Sequence, residues 1–455
     1  MKRIIIAMIL LTIGTNSSAE RILAACTDYS TGMLSSLEAA DPWTPYADEL
    51  SIHSDTVLRW GGEYLALVER YGVDAIRVLD PQTLALQSQF STGAGSNPQD
   101  LIIVDGKAYI SCNNTNDILI VDWPSGELLG LVDLSGWADS DGLAEPAGMV
   151  LADGLIFIAI QRLDRNYYWL PVGDSYLAVL DPSTDALVDV NPGQEGVQAI
   201  ALPASNPAGE LHIFDGRLWL NCVANFGLQD GGLVRVDPLS FSTELVLSES
   251  EFGGDLGDVG FLDATHAWAI VTDASFNTHL YRFDPSNLGT SPELILAGGG
   301  WIFTDLEIYD GVLFLADQSY GSDGVRVLDA TTGDALTSLV NLGLPPYDLL
   351  ASVDSEVNAP EPPAFARLSA WPNPFNPKTT IRFELAERAE ASLSIFDSVG
   401  RRVRELSTGT ILDAGAREVT WDGKGDHNAS LPSGIYHARL FANGQTLVTK
   451  LVLLK

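Results

Sequence analysis

Reactive side chains are scarce in this chain. Its 455 residues include three cysteines, four methionines and six histidines, and 25 basic residues stand against 60 acidic ones, a net charge of −35. His53, His212, His266, His279, His427 and His437 have no partner at ligand spacing, and Cys26, Cys112 and Cys222 lack the paired spacing of a zinc site. There is no Gly-x-Ser-x-Gly elbow, no His-Glu-x-x-His pair and no phosphate-cradling glycine loop. These absences remove the enzyme classes that a local motif marks, though not a site assembled from distant loops. The acidic excess excludes nucleic acid and anionic lipid headgroups as partners. Long apolar runs are missing as well: Ile4–Ile13 is about half of what a bilayer-spanning helix needs. No long stretch has helical periodicity.

What the chain does hold is strand and turn. Forty-two glycines and 23 prolines accompany many Val, Ile, Leu, Trp and Tyr, a composition suited to short strands joined by tight turns. One unit is plain in Asp100-Leu101-Ile102-Ile103-Val104, the turn Asp105-Gly106, Lys107 to Cys112, then Ile118 to Asp122, a turn at Trp123-Pro124-Ser125-Gly126, and a last strand. Asp-Gly suits a two-residue hairpin because both central residues need positive φ. First turns recur at Gly61-Gly62, Asp153-Gly154, Asp215-Gly216, Asp263-Ala264 and Asp310-Gly311, with Asp354-Ser355 as a seventh. Second turns begin at Asp80, Asp122, Asp181, Asp237, Asp284 and Asp329. Four-stranded meanders repeating at this interval predict a β-propeller.

The ends of this body explain closure. Ile22–Ser36 has the pattern of a second half-unit, and Pro345–Val353 that of a first half-unit, so together they predict one composite blade and a total of seven. Six or eight blades also fit the punctuation. Cys112 and Cys222 then occupy equivalent places in non-adjacent blades, too far apart for a disulfide, and three buried free thiols are expected. These repeats resemble the surface-layer-type propellers of exported bacterial proteins.

The last ninety or so residues differ. From Glu361 onward twelve basic and ten acidic residues nearly balance, whereas the preceding part holds 13 and 50. The blocks run Trp371-Pro372-Asn373-Pro374-Phe375-Asn376-Pro377, Thr380 to Leu385, Leu393 to Val403, Val419-Thr420-Trp421-Asp422-Gly423, Ser433-Gly434-Ile435-Tyr436 and Lys450 to Lys455. This succession closely resembles the C-terminal sorting domain of bacterial type IX secretion, an Ig-like module akin to the flagellar hook-capping Ig-like domain. Seven strand-like stretches separated by turns fit a sandwich, and the resemblance implies the type IX machinery as a partner and a sorting signal in Lys450, Leu451, Val452, Leu453, Leu454 and Lys455. It also implies removal of the domain after outer-membrane passage.

The start of the chain fits export. Lys2-Arg3, the apolar Ile4–Ile13 and Ser17-Ser18-Ala19 are the three parts of a signal peptide. A rival reading takes Leu23-Ala24-Ala25-Cys26 as a lipoprotein box. The expected organisation is a signal peptide at 1–19, a propeller at 20–357, a proline-rich linker at 358–363 and the Ig-like sorting domain at 364–455. The mature protein is expected to be soluble and secreted or held at the surface of a Gram-negative-type bacterium.

Site candidates are few. Asp139, Asp141 and Glu145 offer the hard oxygens calcium prefers, as does the turn Ser322-Asp323-Gly324, but neither forms the twelve-residue calcium loop and a polar turn is the simpler reading. Asn166-Tyr167-Tyr168-Trp169 and Trp301 offer aromatic rings for a sugar or peptide, with packing as the simpler reading. Two functions remain. One is a non-catalytic module that binds a glycan, peptide or protein. The other is an exported propeller enzyme, such as a lactonase-like hydrolase or a polysaccharide lyase. Three or more Asp, Glu, Asn or His groups converging at the channel mouth would favour the enzyme, and an aromatic, uncharged mouth the binder.

Overall fold

The computed structural model describes residues 20–352, 365–373, 375–385, 388–397, 401–412, 415–426, 429–442 and 445–454. The signal peptide, the proline-rich linker, Asp354-Ser355 and Lys455 lie outside the described residues. Strands between Arg21 and Ser352 form eight antiparallel sheets: seven are the blades of a propeller, and the eighth is a two-stranded ribbon, Leu163–Asp164 with Leu170–Pro171, in a loop of blade 3. In chain order, blade 1 spans 56–91, blade 2 98–133, blade 3 146–201, blade 4 207–248, blade 5 255–297 and blade 6 303–329.

Blade 7 joins the two ends of this body: Pro346–Ser352 pairs with Arg21–Thr27, which pairs with Gly32–Glu38, which pairs with Pro45–Ile52. The split is one strand plus three, not the two halves expected from sequence. Pro45–Ile52 supplies the fourth strand, so no partner beyond Ser352 is required. Cys26 accordingly lies on the second strand of its blade, as Cys112 and Cys222 do on theirs.

Turn chemistry explains the local structure. Asp105-Gly106, Asp153-Gly154, Asp215-Gly216 and Asp310-Gly311 all have positive φ at both residues, the geometry that matches strand twist in a two-residue hairpin. In blade 1 the loop is Gly62-Glu63, one residue later than the sequence pattern indicated, with Gly62 at φ 70°. The second turns rest on aspartate side chains. Asp237 Oδ1 accepts from the amides of Leu239 (2.9 Å) and Ser240 (3.0 Å), and Asp329 Oδ1 from those of Thr331 (2.8 Å) and Thr332 (2.9 Å). Such side-chain bonds replace backbone ones where the chain reverses.

Packing closes the ring. A buried apolar cluster fills each of the seven junctions between neighbouring blades: Val57, Ala66 and Val68 of blade 1 meet Leu101, Ala108 and Ile110 of blade 2, for example. The junctions of blade 7 are built alike, with Ile22, Ala24 and Leu37 against Phe314 and Val325 of blade 6, and Leu23 and Leu34 against Leu58 and Leu65 of blade 1. The first strands of successive blades touch around the whole circle.

Cys26, Cys112 and Cys222 are buried free thiols, and burial pushes the first two up to about 12. Ile22, Leu23, Ala24 and Ala25 are buried between two neighbouring strands, so cleavage before Cys26 would remove most of a core strand. The lipoprotein reading does not fit this sheet. Titration with a thiol reagent should find no fast-reacting group in the folded protein and three after unfolding without reductant. A count of one would reveal a disulfide, and two an acylated Cys26.

The C-terminal strands form a separate sandwich. One sheet holds Phe365–Trp371, Thr379–Leu385 and Gly415–Trp421, and the other Arg402–Leu412, Ala389–Asp397, Gly434–Ala442 and Gln445–Leu453. Trp421, Phe375, Phe383 and Tyr436 pack between them with Leu451 and Leu453. The Trp421 indole donates to the Lys424 carbonyl at 2.9 Å and the Tyr436 hydroxyl to that of Pro432 at 2.9 Å, so neither buried polar group is left unmet.

Candidate functional site

In a meander of four strands, the loops joining second to third strands and those joining one blade to the next emerge on the same face. That face carries the propeller's nine exposed aromatic side chains: Tyr29, Tyr71, Tyr167, Tyr168, Trp169, Phe226, Phe276, Trp301 and Tyr320. Among the described residues the opposite face, built from the tight Asp-Gly hairpins, carries none. Of the loop aromatics expected to serve packing, Trp169 lies under the Arg165 guanidinium and Trp301 against Phe226, and both rings remain about half exposed. Phe226, Phe276 and Trp301 are 46%, 58% and 51% exposed and form a chain of tilted rings, with centroids 5.8 Å apart from Phe226 to each neighbour. Exposed aromatic groups of this size mark contact surfaces.

Phe226 and Trp301 also stand at the mouth of a cavity of about 480 Å³ along the propeller axis. Deeper in this cavity the first strands present a charged ring. Pairing of the first strand with the second is interrupted by an irregularity in blades 2 to 7, which turns extra side chains toward the axis. Asp100, Asp258, Asp305 and Asp348 occupy the same place in blades 2, 5, 6 and 7, and each bonds to the next blade. Asp100 accepts from the Met149 amide at 2.7 Å, Asp258 from Leu306 at 3.1 Å, Asp305 from Leu349 at 2.5 Å and Asp348 from Leu58 at 2.8 Å. These carboxylates satisfy amides that the axis would otherwise leave unpaired. In blade 3 the place is held by Gly148, where a Cβ would stand 2.6 Å from the Gly209 carbonyl oxygen of blade 4.

Blade 1 contributes the cation. Arg59 bonds Asp100 at 2.8 Å through Nε and Glu210 at 2.8 Å through Nη1, and lies 3.7 Å from Asp348. Arg70 also lines the cavity but pairs with Asp55, and two arginines cannot balance Asp100, Glu210, Asp258, Asp305, Glu307 and Asp348. Burial and the neighbouring carboxylates push Glu307 up to about 8 and raise Asp305 well above the carboxylate range. Burial raises Asp348 to about 7 despite Arg59. His212 lies 3.7 Å from Asp258; burial opposes its charged form, yet Asp258 and Glu210 prevail and its pKa is raised. The axial cavity thus has a surplus of negative charge and protons to lose.

The discriminating features are therefore mixed: carboxylates and a histidine converge, as the enzyme would require, while the mouth is aromatic but the cavity behind it is charged. Four of the carboxylates, however, are already committed to amides of the ring.

Asp139, Asp141 and Glu145 do gather in the loop between blades 2 and 3. Some of their oxygens serve the fold: Asp139 accepts from the Asp141 amide (2.9 Å), Asp141 from those of Leu143 and Arg165 (2.9 Å each), and Glu145 from that of Leu163 (3.2 Å). Asp139 Oδ2 and Glu145 Oε1 are buried without a hydrogen-bond partner among the described residues. The Arg165 guanidinium stands 3.6 Å from Glu145 and 3.9 Å from Asp141. Among the described residues no group of three or more His, Cys, Asp or Glu is arranged to hold a metal ion. In the tail, Lys450 is exposed, Leu451 and Leu453 are buried and Leu454 is half exposed.

The chain thus pairs a seven-bladed β-propeller with a C-terminal Ig-like domain. Residues 373–445 match the FlgD Ig-like domain family. No curated protein matches the chain. Among solved structures, it is similar to a candidate 6-phosphogluconolactonase from Bacteroides fragilis at 13% identity and a TM-score of 0.54, covering 74% of this chain and 99% of that one. It is also similar to PorZ, a surface component of the type IX secretion system of Porphyromonas gingivalis, at 13% identity and a TM-score of 0.46, covering 94% of this chain and 64% of that one. AztD from Citrobacter koseri matches at 14% identity and a TM-score of 0.46, over 73% and 98% of the two chains. At these identities the likeness is one of fold. Among the described residues no helix is long and apolar enough to cross a membrane.

Proposed function

We propose that this chain is an exported binding module whose aromatic loop face engages a peptide or protein outside the cytoplasm, and whose tail directs passage across the outer membrane through the type IX machinery. The observation that carries the binding reading is the gathering of all nine exposed propeller aromatics on one face, where two of them, Phe226 and Trp301, line the axial cavity. The acidic surplus beneath them favours a basic partner, since complementary charge speeds encounter and penalises the wrong ligand. A neutral glycan stacking on the rings is the next candidate; an anionic one would meet repulsion. The tail reading rests on the resemblance of its ordered blocks, with support from the Ig-like match.

The enzyme reading keeps one specific observation: Glu307, held at about 8, lies in the range of a general acid near neutral pH. Titration of the protein with basic, neutral and acidic peptides and with neutral and anionic oligosaccharides separates these readings. The basic peptides should bind, and Phe226→Ser or Trp301→Ser should weaken binding about tenfold, the size of a modest hot spot. Leu129→Ser, on an outer strand, should change nothing. Turnover of any probe that Glu307→Gln abolishes would instead establish the enzyme.

A further inference from the structure

The first and last blocks of the tail, almost eighty residues apart in sequence, are bonded to each other. Phe375 donates its amide to the Val452 carbonyl at 2.9 Å and accepts from the Leu454 amide at 2.9 Å, which is one step of a parallel ladder opposite Leu453. Two residues earlier the Asn373 side chain repeats that pattern. Its Nδ2 donates to the Lys450 carbonyl at 2.6 Å and its Oδ1 accepts from the Val452 amide at 2.8 Å. A side-chain amide here stands in for a peptide group opposite Leu451, extending the ladder by one more step in the same register.

The consequence for the terminal strand is substantial. Gln445–Leu453 is the last strand of its sheet and pairs on one side with Gly434–Ala442, so its other side would be a free edge. Asn373 and Phe375 cover the C-terminal half of that edge. They hold Leu451 and Leu453 in the core and leave Lys450 outward. Because side chains alternate, a slip of one residue would exchange the buried and exposed sets. Prolines at 372, 374 and 377 lack N–H groups, so this segment cannot propagate into a further strand.

We propose that Asn373 is a positioning residue for export. On this view it clamps the terminal strand in one register, and the secretion machinery reads that folded, clamped strand and not a loose C-terminal peptide. This rests on the export reading of the tail. Aspartate in place of Asn373 keeps the shape and the acceptor but loses the donor, while alanine loses both bonds.

The test uses the full-length chain in a host with type IX secretion, with surface exposure measured by protease accessibility on intact cells. The parent chain should be exposed at the surface; if it stays in the periplasm, the export reading fails before the clamp is in question. If it is exposed, Asn373→Asp and Asn373→Ala should reduce the surface fraction about tenfold. Amide exchange at Val452 and Leu454 should quicken by a similar factor in the purified alanine variant, which loses the Val452 acceptor. In the aspartate variant it should quicken at Leu454, because the carboxylate faces the Lys450 carbonyl with no proton between them. Should alanine unfold the sandwich, the isosteric aspartate variant alone carries the comparison. Full delivery of variants whose terminal amides exchange faster would overturn the proposal, because a loosened strand would then serve as well. Unchanged exchange at those amides would overturn the clamp itself.

Discussion

Deleting Ile22–Ser36 should leave a chain that does not reach a native propeller. The segment supplies the second strand and most of the third strand of blade 7, and Ile22, Leu23, Ala24, Cys26 and Leu34 are all buried in it. Each large aliphatic side chain lost from a core costs about 2–5 kcal/mol. Three such residues already approach the roughly 5–15 kcal/mol that stabilises a whole domain. The deletion also bares the strand Pro346–Ser352 and the apolar flanks of blades 6 and 1, edges that promote aggregation. Scanning calorimetry of the purified variant should find no cooperative transition for the propeller, with the sandwich transition retained. A variant melting within a few degrees of the parent would show that the ring closes without these strands.

Replacing Arg59 with methionine should be the most damaging single change at the axis. Among the described residues the guanidinium is the one cation in contact with Asp100, Glu210 and Asp348, and methionine keeps the bulk while removing the charge. Breaking one side of a buried ion pair costs about 3–5 kcal/mol. For a body of this size that corresponds to roughly 4–7 °C in Tm near pH 8.

The loss should shrink toward pH 5, and the sign follows from linkage. Glu145, Glu249, Glu307 and Asp348 are raised in the folded protein to about 7, 7, 8 and 7, chiefly by burial, from ordinary values near 4. Groups raised in this way bind more protons folded than unfolded. Their contribution is complete below about pH 4 and is lost as pH rises through 7 to 8. Asp263, lowered to about 2 by backbone amides and His266, acts in the opposite sense and loses its contribution as pH falls toward 2. The parent protein should therefore be most stable between about pH 4 and 6, with Tm declining toward pH 9. A Tm that rises steadily from pH 5 to 9 would contradict the raised carboxylates.

Much of the scaffold was legible because its turns use residues that few alternatives can replace. Asp105-Gly106 and its three equivalents announce hairpins through positive φ, and the Asp side chains at 237 and 329 announce the second turns. The sequence pattern indicates a composite blade but not its division into one strand and three. Pro45–Ile52 is largely exposed and polar, so no apolar pattern marked it as a strand. The axial ring left a faint signal, Asp followed by Leu or Val at 100, 258, 305 and 348, which reads as ordinary strand sequence until the strands are set around an axis. Arg59 and Glu210 meet only there, and no spacing along the chain predicts it. Trp301 was visible as an aromatic in a loop, yet its exposure depends on which face the loop leaves. The Asn373 clamp joins sequence ends that no local pattern connects.

The claim that the aromatic face is the working face has a direct test. A photo-reactive phenylalanine analogue would be placed in the exported protein at Trp301 in one chain and at Thr265, on the opposite face, in another. After irradiation of intact cells, the account predicts a discrete crosslinked product from position 301 and none from position 265. Crosslinking of equal yield from both faces, or from position 265 alone, would contradict it.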